Sequence, residues 1–189
     1  MSKKEEDIIQ SATKLFSEFG YHAVGIDTII AESNVAKMTF YKYFPSKELL
    51  IEGVLKRRDE DLQAGILRTV ESCRTPMAKL KAIFDWYENW FCGADFHGCM
   101  FIKASEEFPR GATRVREIIE NFKSWLVELI KEILQQAGAA NAAVLAQHIV
   151  VVLDGLTVKF NMDVSVAHTE MASNWKLIKK LVQLHIKDK

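Results

Sequence analysis

The segment Ile29–Ile51, IIAESNVAKMTFYKYFPSKELLI, restricts most strongly how this chain can fold. Asn34 tolerates the left-handed backbone conformation that a tight turn between two helices requires. A short helix is predicted over residues 36–43, directly after that turn. Phe40 and Phe44 are four residues apart, so they lie on one face of this helix and are expected to point into a core.

Two residues at the end of the short helix separate it from the next one. Pro45 lacks a backbone N–H and disfavours helix at the residue before it, so it ends the short helix. Ser46 can cap the following helix through its hydroxyl, and Leu49 and Leu50 begin the apolar face of that helix. The segment therefore predicts a helix–turn–helix that continues at once into a longer helix.

The surface predicted for the second helix suits DNA. Residues 33–58 contain six Lys or Arg and two Glu, whereas the whole chain has no net charge. Tyr41 and Tyr43 offer hydroxyls to phosphates, and Thr39 can also meet a base edge or a thymine methyl. Lys47 lies in the first turn of the following helix, where free N–H groups favour an anion. A helical hairpin with a solvated basic face would carry the same charges, so that alternative stays open.

The residues SNVAKMTFYKYFPSKELL resemble the DNA-binding signature of the TetR-like (tetracycline-repressor-like) transcriptional regulators. The matching positions are Lys37, Thr39, Tyr41, Tyr43, Phe44, Ser46, Lys47, Glu48 and Leu50. Ala12, Phe16, Gly20 and Tyr21 are also similar to the first helix of that family and its end. Met38 stands where the family has a small residue. The resemblance implies that the DNA contacts come from Gly25, Ala36, Lys37, Met38, Thr39, Tyr41, Lys42, Tyr43 and Lys47.

The remainder of the chain is predicted to be helical, with short loops and no strand pattern. The predicted helices are Lys4–Gly20, a connector from Ser46 to about Cys73, and then about Met77–Cys92, Cys99–Phe108, Thr113–Ala137, Asn141–Met162 and Thr169–Ile186. The fold class is therefore all-α. We expect an N-terminal three-helix helix-turn-helix head in residues 1–47, for DNA binding. Residues 48–189 are expected to form the connector and a helical bundle for dimerisation and ligand binding.

Aromatic residues recur at helical spacing in the second part of the chain. Core packing is the usual meaning of such a pattern. The resemblance to TetR-like regulators implies, in addition, a small-molecule pocket between the helices that follow the connector. The candidate residues for a pocket that binds an unknown apolar or amphipathic ligand are Phe84, Tyr87, Trp90, Phe91, Phe101, Trp125 and Phe160.

The last two predicted helices carry more apolar residues than a single buried face needs. The final helix has two apolar stripes, one with Met171, Trp175, Ile178 and Val182 and one with Leu177, Leu181 and Leu184. One stripe is expected to face the body and the other a second copy of the chain. The predicted dimer interface contains Val151, Trp175, Ile178 and Val182, although the sequence would also allow the two stripes to be exchanged.

Other classes of protein find little support in the sequence. Cys92, His97 and Cys99 contain metal-ligand atoms, but a closed zinc site needs four ligands, so no metal and no cofactor is predicted. Recognisable enzyme motifs are absent from the sequence, and no catalytic residue is predicted. The apolar run of residues 142–153 is too short to cross a bilayer, and no secretion segment precedes it. With three Cys and no such segment, we expect a cytoplasmic protein without a membrane partner.

These patterns together predict a DNA-binding transcriptional regulator, and the resemblance implies a repressor. It would bind a palindromic operator in double-stranded DNA as a homodimer and would be released by a small molecule. Two other classes remain as alternatives: a helical adaptor that binds protein, and a small helical enzyme with an apolar pocket. The salt dependence of duplex binding separates a DNA binder from an adaptor.

Overall fold

The structure, a computed structural model, describes residues 2–109, 111 and 113–186, and within them it contains nine α-helices and no β-strand. The helices are α1 (Lys3–Phe19), α2 (Ile26–Ser33), α3 (Lys37–Tyr43), α4 (Lys47–Glu71), α5 (Pro76–Phe91), α6 (Met100–Glu107), α7 (Thr113–Gln136), α8 (Ala142–Met162) and α9 (Ala167–His185). The all-α prediction is confirmed, and the predicted helix ends differ from the observed ones by a few residues.

Local sequence signals explain where several helices begin and end. Ser2 and Glu5 form a reciprocal capping box at the start of α1. Asn34 ends α2 in the left-handed conformation, with a φ of 52°, as the sequence predicted. At the start of α5, the Thr75 hydroxyl accepts a hydrogen bond from the N–H of Ala78 at 3.3 Å, and Pro76 fills the first helical position.

The helices pack into two compact units. The first consists of Met1–Asp61 and Cys99–Asn121, and so contains α1, α2, α3, α6, α4 as far as Asp61 and the start of α7. Its core is formed by fully buried side chains from several of these helices: Ile8, Ala12, Phe16, Ile29, Phe40 and Leu50. Phe40 and Phe44 both point into this core, as their spacing predicted.

The second unit consists of Leu62–Gly98 and Phe122–Lys189. Its core is a single cluster of apolar side chains from α4, α5, α7, α8 and α9. The predicted division into residues 1–47 and 48–189 separates a DNA-binding part from a dimerisation and ligand-binding part, and it stays a prediction. Its outer ends, residues 1 and 187–189, lie outside the described residues.

Helix α8 corrects one expectation from the sequence. The prediction that its apolar run is too short to cross a bilayer is wrong, because the helix continues beyond Leu153 to Met162. Among the described residues, α8 is the one helix long and apolar enough to span a membrane by length and composition. Leu145, Ile149 and Leu153 are nevertheless buried inside the second unit, and a core helix of a soluble protein passes the same test.

Candidate nucleic-acid interface

Helix α3 is anchored by its buried face and presents the opposite face to solvent. Phe40 has no exposed surface, whereas Met38 is 88% exposed. Ala36 caps the helix without a side-chain hydrogen bond, and its carbonyl accepts from the N–H groups of Thr39 and Phe40 at 2.8 and 3.0 Å. The apolar anchor thus fixes the orientation of α3 and leaves its other side chains available to a partner.

The residues predicted to contact DNA lie at the start of α2, on α3 and at the start of α4, all in the first unit. Those that are exposed are Gly25, Ala36, Lys37, Met38, Tyr41 and Lys42, and those that are half-buried are Thr39, Tyr43 and Lys47. The helix–turn–helix brings the members on α2 and α3 together, because α2 and α3 pack against each other. None of the nine is buried, so each remains a candidate for contact.

Lys37 has a partner that the sequence reasoning missed. Its Nζ lies 2.9 Å from Oδ1 of Asp27, and both side chains are largely exposed. The hydrogen bond that Lys37 donates to Asp27, reinforced by the negative charge of that carboxylate, raises the pKa of Lys37. Asp27 lies in the first turn of α2, a common place for a carboxylate, but its pairing with α3 depends on the turn between them. A phosphate or a base that contacted Lys37 would therefore have to displace this carboxylate.

The start of α4 is organised by a local cap and a contact with the preceding segment. The Ser46 hydroxyl accepts from the N–H of Leu49 at 3.2 Å, and Lys47 Nζ lies 3.4 Å from the carbonyl of His22. Glu48 accepts hydrogen bonds from its own N–H and from Ser46, which lower the pKa of its carboxyl. Lys47 is thereby held at a helix N-terminus, where an anion is favoured.

Gly25 leaves an open position at the start of α2. A Cβ at this glycine would have one neighbour within 4 Å, the Oγ1 of Thr28 at 3.8 Å. Thr28 is exposed, and its hydroxyl can donate to a phosphate beside the first turn of α2. The sequence reasoning did not select Thr28, although its place in the first turn of the first motif helix was a usable signal.

Helix α6 is bound to the end of α1 within the first unit. The Glu107 carboxylate accepts hydrogen bonds from the backbone N–H of Tyr21 at 2.9 Å and of His22 at 2.7 Å. The Tyr21 hydroxyl donates to the carbonyl of Met100 at 2.9 Å, and Lys103 donates to the carbonyl of Ser17. We call this set of contacts the α6 clamp. It joins residues about 80 positions apart in the chain, and no local pattern in the sequence indicated it.

Burial sets the role of Tyr21 in the α6 clamp, and backbone conformation sets the role of the neighbouring Gly20. Desolvation is the main cause that raises the pKa of Tyr21, so its phenol remains a hydrogen-bond donor at neutral pH. Gly20 has a φ of 85° and a ψ of 171°, a combination found almost only in glycine. A Cβ at Gly20 would also lie 2.7 Å from Oε1 of Glu107. Glycine at this position therefore allows both the chain reversal after α1 and the close approach of the carboxylate.

The residues predicted to line a ligand pocket divide between the two units. Phe84, Tyr87, Phe91 and Phe160 are buried in the second unit, Trp90 and Trp125 are partly buried there, and Phe101 is buried in the first unit. In the second unit, ring centroids are 5.8 Å apart for Tyr87 and Phe91 and 5.1 Å apart for Phe91 and Phe160. These distances are typical of packed aromatic side chains. The pocket itself stays a prediction.

On α9, most of one stripe lies inside the subunit, whereas the other stripe is exposed at Leu177 and Leu184 and partly buried at Leu181. Ile178 is 4% exposed and Val182 is fully buried, whereas Leu177 is 65% exposed. Trp175 is half-buried and packs against Phe84 of α5, with ring centroids 5.3 Å apart. Assigning Ile178, Val182 and Trp175 to a dimer interface is therefore corrected, because α5 packs against that face of α9. The two stripes are equally apolar, so the sequence could not distinguish them.

A set of exposed apolar residues remains on α8 and α9, and we call it the apolar stripe. Its members recur at intervals of seven residues: Val144, Val151 and Val158 on α8, and Leu177 and Leu184 on α9. Val151, which was predicted for the dimer interface, is among them. Gly155 lies between Val151 and Val158, and a Cβ there would meet nothing within 4 Å. The apolar stripe is a surface that a partner helix could cover.

Comparisons with known proteins agree on the class of this chain. Residues 8–54 match the family described as "Bacterial regulatory proteins, tetR family". The chain is 32% identical over 122 residues to the uncharacterized HTH-type transcriptional regulator YuxN of Bacillus subtilis (strain 168), covering 62% of this chain and 42% of YuxN. It is 29% identical over 141 residues to the HTH-type transcriptional regulator LmrA of the same organism, covering 72% of this chain and 74% of LmrA.

The fold of the whole chain also has a close counterpart among solved structures. The structure of SCO4454, a TetR-family transcriptional regulator from Streptomyces coelicolor, superposes with a TM-score of 0.90 at 23% identity. The match covers 97% of this chain and 96% of SCO4454. At this identity the likeness establishes the fold alone, and it covers the helices that follow residues 8–54 as well as those within them.

Proposed function

Because this chain belongs, through residues 8–54, to the TetR family of bacterial regulatory proteins, we propose that it is a transcriptional repressor released from its operator by a small molecule. The observation that carries the proposal is the exposed face of α3, with its basic and hydroxyl side chains held in place by buried Phe40. TetR-family regulators are soluble cytoplasmic proteins, and we place this chain in the same compartment.

The geometry supports a division of labour within the interface. Lys37, Met38 and Thr39 open α3, and the first residues of a recognition helix are the ones that reach base edges. Tyr41, Tyr43 and Lys47 would contact phosphates, which position the protein but do not read sequence. Lys47 suits this role because it lies at the N-terminus of α4.

A dimer would present two copies of α3 to the DNA. Helix-turn-helix dimers bind half-sites about 34–36 Å apart, one turn of the duplex. A two-fold contact uses the same patch on both subunits, and the apolar stripe on α8 and α9 supplies such a patch. We therefore propose a four-helix interface formed by α8 and α9 of both copies, with Val151, Leu177 and Leu184 near its centre.

The α6 clamp supports a route by which a ligand could change the head. Glu107 holds the backbone of Tyr21 and His22, and these residues lie between α1 and α2. A displacement of α6 would therefore pull on the segment from which α2 starts. A ligand that favours a displaced α6 would shift the population of heads away from the operator-binding arrangement, by as much as it binds the two states differently.

The two other predicted classes have less support. The relatives named above are regulators, which at the level of the family favours a DNA binder over an enzyme. Exposed Lys and Tyr residues lie on the short helix α3 and a half-buried Lys lies at the N-terminus of α4. These residues suit contacts with phosphates, which a protein-binding adaptor does not require. An adaptor would also show weak salt dependence with duplex DNA.

The deciding experiment is selection of bound sequences from random duplex DNA by the full chain. We expect enrichment of a palindrome with half-sites one helical turn apart. Lys47→Ala should then reduce the slope of log affinity against log salt by about one, on specific and nonspecific duplex alike. Lys131→Ala is the matched control, because Lys131 pairs with Glu128 on α7 in the second unit. Enrichment of no sequence, or an unchanged slope for Lys47→Ala, would contradict the proposed interface.

A further inference from the structure

Three side chains from α5 and α9 meet at an exposed edge of the second unit. The Sγ of Cys92 lies 3.8 Å from Nε2 of His168. The other ring nitrogen of His168, Nδ1, lies 2.5 Å from Oε1 of Glu88. Glu88 is in the last turn of α5, Cys92 follows its last residue, and His168 is in the first turn of α9. One imidazole is thus placed between a thiol and a carboxylate.

This order of groups is that of a nucleophile, a base and a residue that orients the base. With Glu88 as acceptor, Nδ1 carries the proton and donates it, which leaves the Nε2 lone pair directed at the thiol of Cys92. The imidazole can then accept the thiol proton during an attack by sulfur, and the carboxylate stabilises the imidazolium that forms. The contacts are between residues about 80 positions apart, so the fold creates this arrangement and the sequence does not.

The three cysteines differ in access and in their neighbours. Cys92 is exposed, Cys73 is half-buried and Cys99 is buried. The thiol of Cys73 donates to the backbone carbonyl of Thr69 at 3.5 Å, and a carbonyl cannot remove a proton. Cys92 combines an accessible sulfur with a base within hydrogen-bond reach, and the two other cysteines serve as internal references.

We propose that Cys92 is a covalent modification site for small uncharged α,β-unsaturated carbonyl compounds. In the step, the Cys92 sulfur forms a bond to the β-carbon of the compound while the carbon–carbon π bond breaks. His168 takes the thiol proton and returns it to the α-carbon, so that the thioether contains all atoms of both reactants. Glu88 is the positioning residue for His168. No oxidant or other reactant is needed.

The surroundings of Cys92 favour an uncharged compound and leave the sulfur accessible in a dimer. The Glu88 carboxylate repels anions. An aromatic cluster lies close to Cys92 in the chain and consists of Trp90, Phe91 and Phe96, with the ring centroids of Trp90 and Phe96 5.1 Å apart. His168 and Leu177 are nine residues apart on α9, which places them about half a turn apart around the helix. His168 therefore lies on the opposite side of α9 from Leu177.

The test is the rate of adduct formation at each cysteine with acrylamide, an uncharged α,β-unsaturated amide, followed by peptide mass spectrometry of the folded chain. We expect Cys92 to react at least about tenfold faster than Cys73 and Cys99. We expect His168→Ala to lower the Cys92 rate by about tenfold or more, because a positioned base typically contributes about 100-fold or more in enzymes. Free imidazole in the buffer should restore part of the rate in His168→Ala, because the position is open to solvent.

Three further variants separate chemistry from structure. His148→Ala is the matched control, an exposed histidine on α8 whose ring bonds to the Val144 carbonyl, and it should leave the Cys92 rate unchanged. Glu88→Ala should lower the rate, while Glu88→Gln, which keeps an acceptor for Nδ1–H, should retain more of it. A His168→Ala rate within about twofold of the parent, or no rescue by imidazole, would reduce the arrangement to a surface ion pair between Glu88 and His168 and overturn the proposal.

The adduct rate reports on the modification site whether or not the chain binds DNA. Failure of the site and failure of the proposed repressor function are therefore distinguished, because the second is decided by the operator selection. Where both hold, the Cys92 adduct is a covalent signal that enters the unit containing six of the seven residues predicted to line the ligand pocket.

Discussion

Replacement of Glu107 should weaken the first unit by an amount that can be worked out from the α6 clamp. Its carboxylate accepts one part-buried hydrogen bond, from Tyr21 N–H, and one exposed hydrogen bond, from His22 N–H. Hydrogen bonds to a charged group contribute about 1.5–3 kcal/mol when buried, and exposed ones contribute much less. We therefore expect Glu107→Ala to lower the free energy of unfolding by about 2 kcal/mol.

Equilibrium unfolding in urea, followed by circular dichroism, measures this loss, and a thermal melt should show a decrease of about 4–8 °C for a chain of this size. Operator affinity should fall as well, because the segment between α1 and α2 loses two of its hydrogen bonds to α6. The matched control is Glu106→Ala, the preceding residue of the same helix, which takes no part in the backbone hydrogen bonds of the clamp. A loss below about 0.5 kcal/mol in Glu107→Ala would mean that solvent replaces the two N–H contacts of the carboxylate and that they do not stabilise the first unit.

A double-mutant cycle with Gly20 sharpens the same prediction. Gly20→Ala incurs backbone strain of about 1–3 kcal/mol at its positive φ, and it also pushes a Cβ to 2.7 Å from Glu107 Oε1. In the Glu107→Ala background the strain remains but the clash is gone. The two losses should therefore add up to more than the loss in the double variant. Full additivity would show that the carboxylate is not held beside Gly20.

Three other predictions follow from the site and the interface. Leu177→Asp should give a folded monomer in analytical ultracentrifugation and abolish palindrome binding. Ile178→Asp changes the next residue, which is only 4% exposed, and should unfold the second unit. A dimeric Leu177→Asp variant would place the interface elsewhere. Thr39→Ala should change base preference at particular operator positions by about 1–3 kcal/mol in a binding-site selection, and an unchanged preference would remove Thr39 from the readers. Tyr21→Phe should cost about 1–2 kcal/mol at neutral pH, because the Met100 carbonyl loses its donor. Since burial raises the pKa of folded Tyr21, its contribution is complete below the unfolded pKa of about 10 and is lost as pH rises above it. The stability difference between Tyr21→Phe and the parent should therefore narrow above about pH 10, and a constant difference would contradict the burial argument.

The sequence by itself determined the features that depend on neighbours along the chain. Asn34 fixes the turn, the spacing of Phe40 and Phe44 selects the buried face of α3, and Pro45 ends that helix. Each of these effects acts within one or two helical turns, where backbone conformation and side-chain spacing settle the outcome. For this reason the all-α fold and the family of the head could be predicted from the residues.

Tertiary structure alone decided the features that depend on distant partners. The two stripes of α9 are equally apolar, and only packing against α5 showed that Ile178 is buried and Leu177 exposed. The hydrogen bonds of Glu107 to the end of α1 and the meeting of Cys92 with His168 join residues about 80 positions apart. Hydrophobic periodicity predicts that one face of a helix is buried, but it does not predict which element covers that face. The reason is that the hydrophobic effect is non-directional and does not select a particular partner. Polar contacts between residues so far apart in the chain form only when the helices pack against each other.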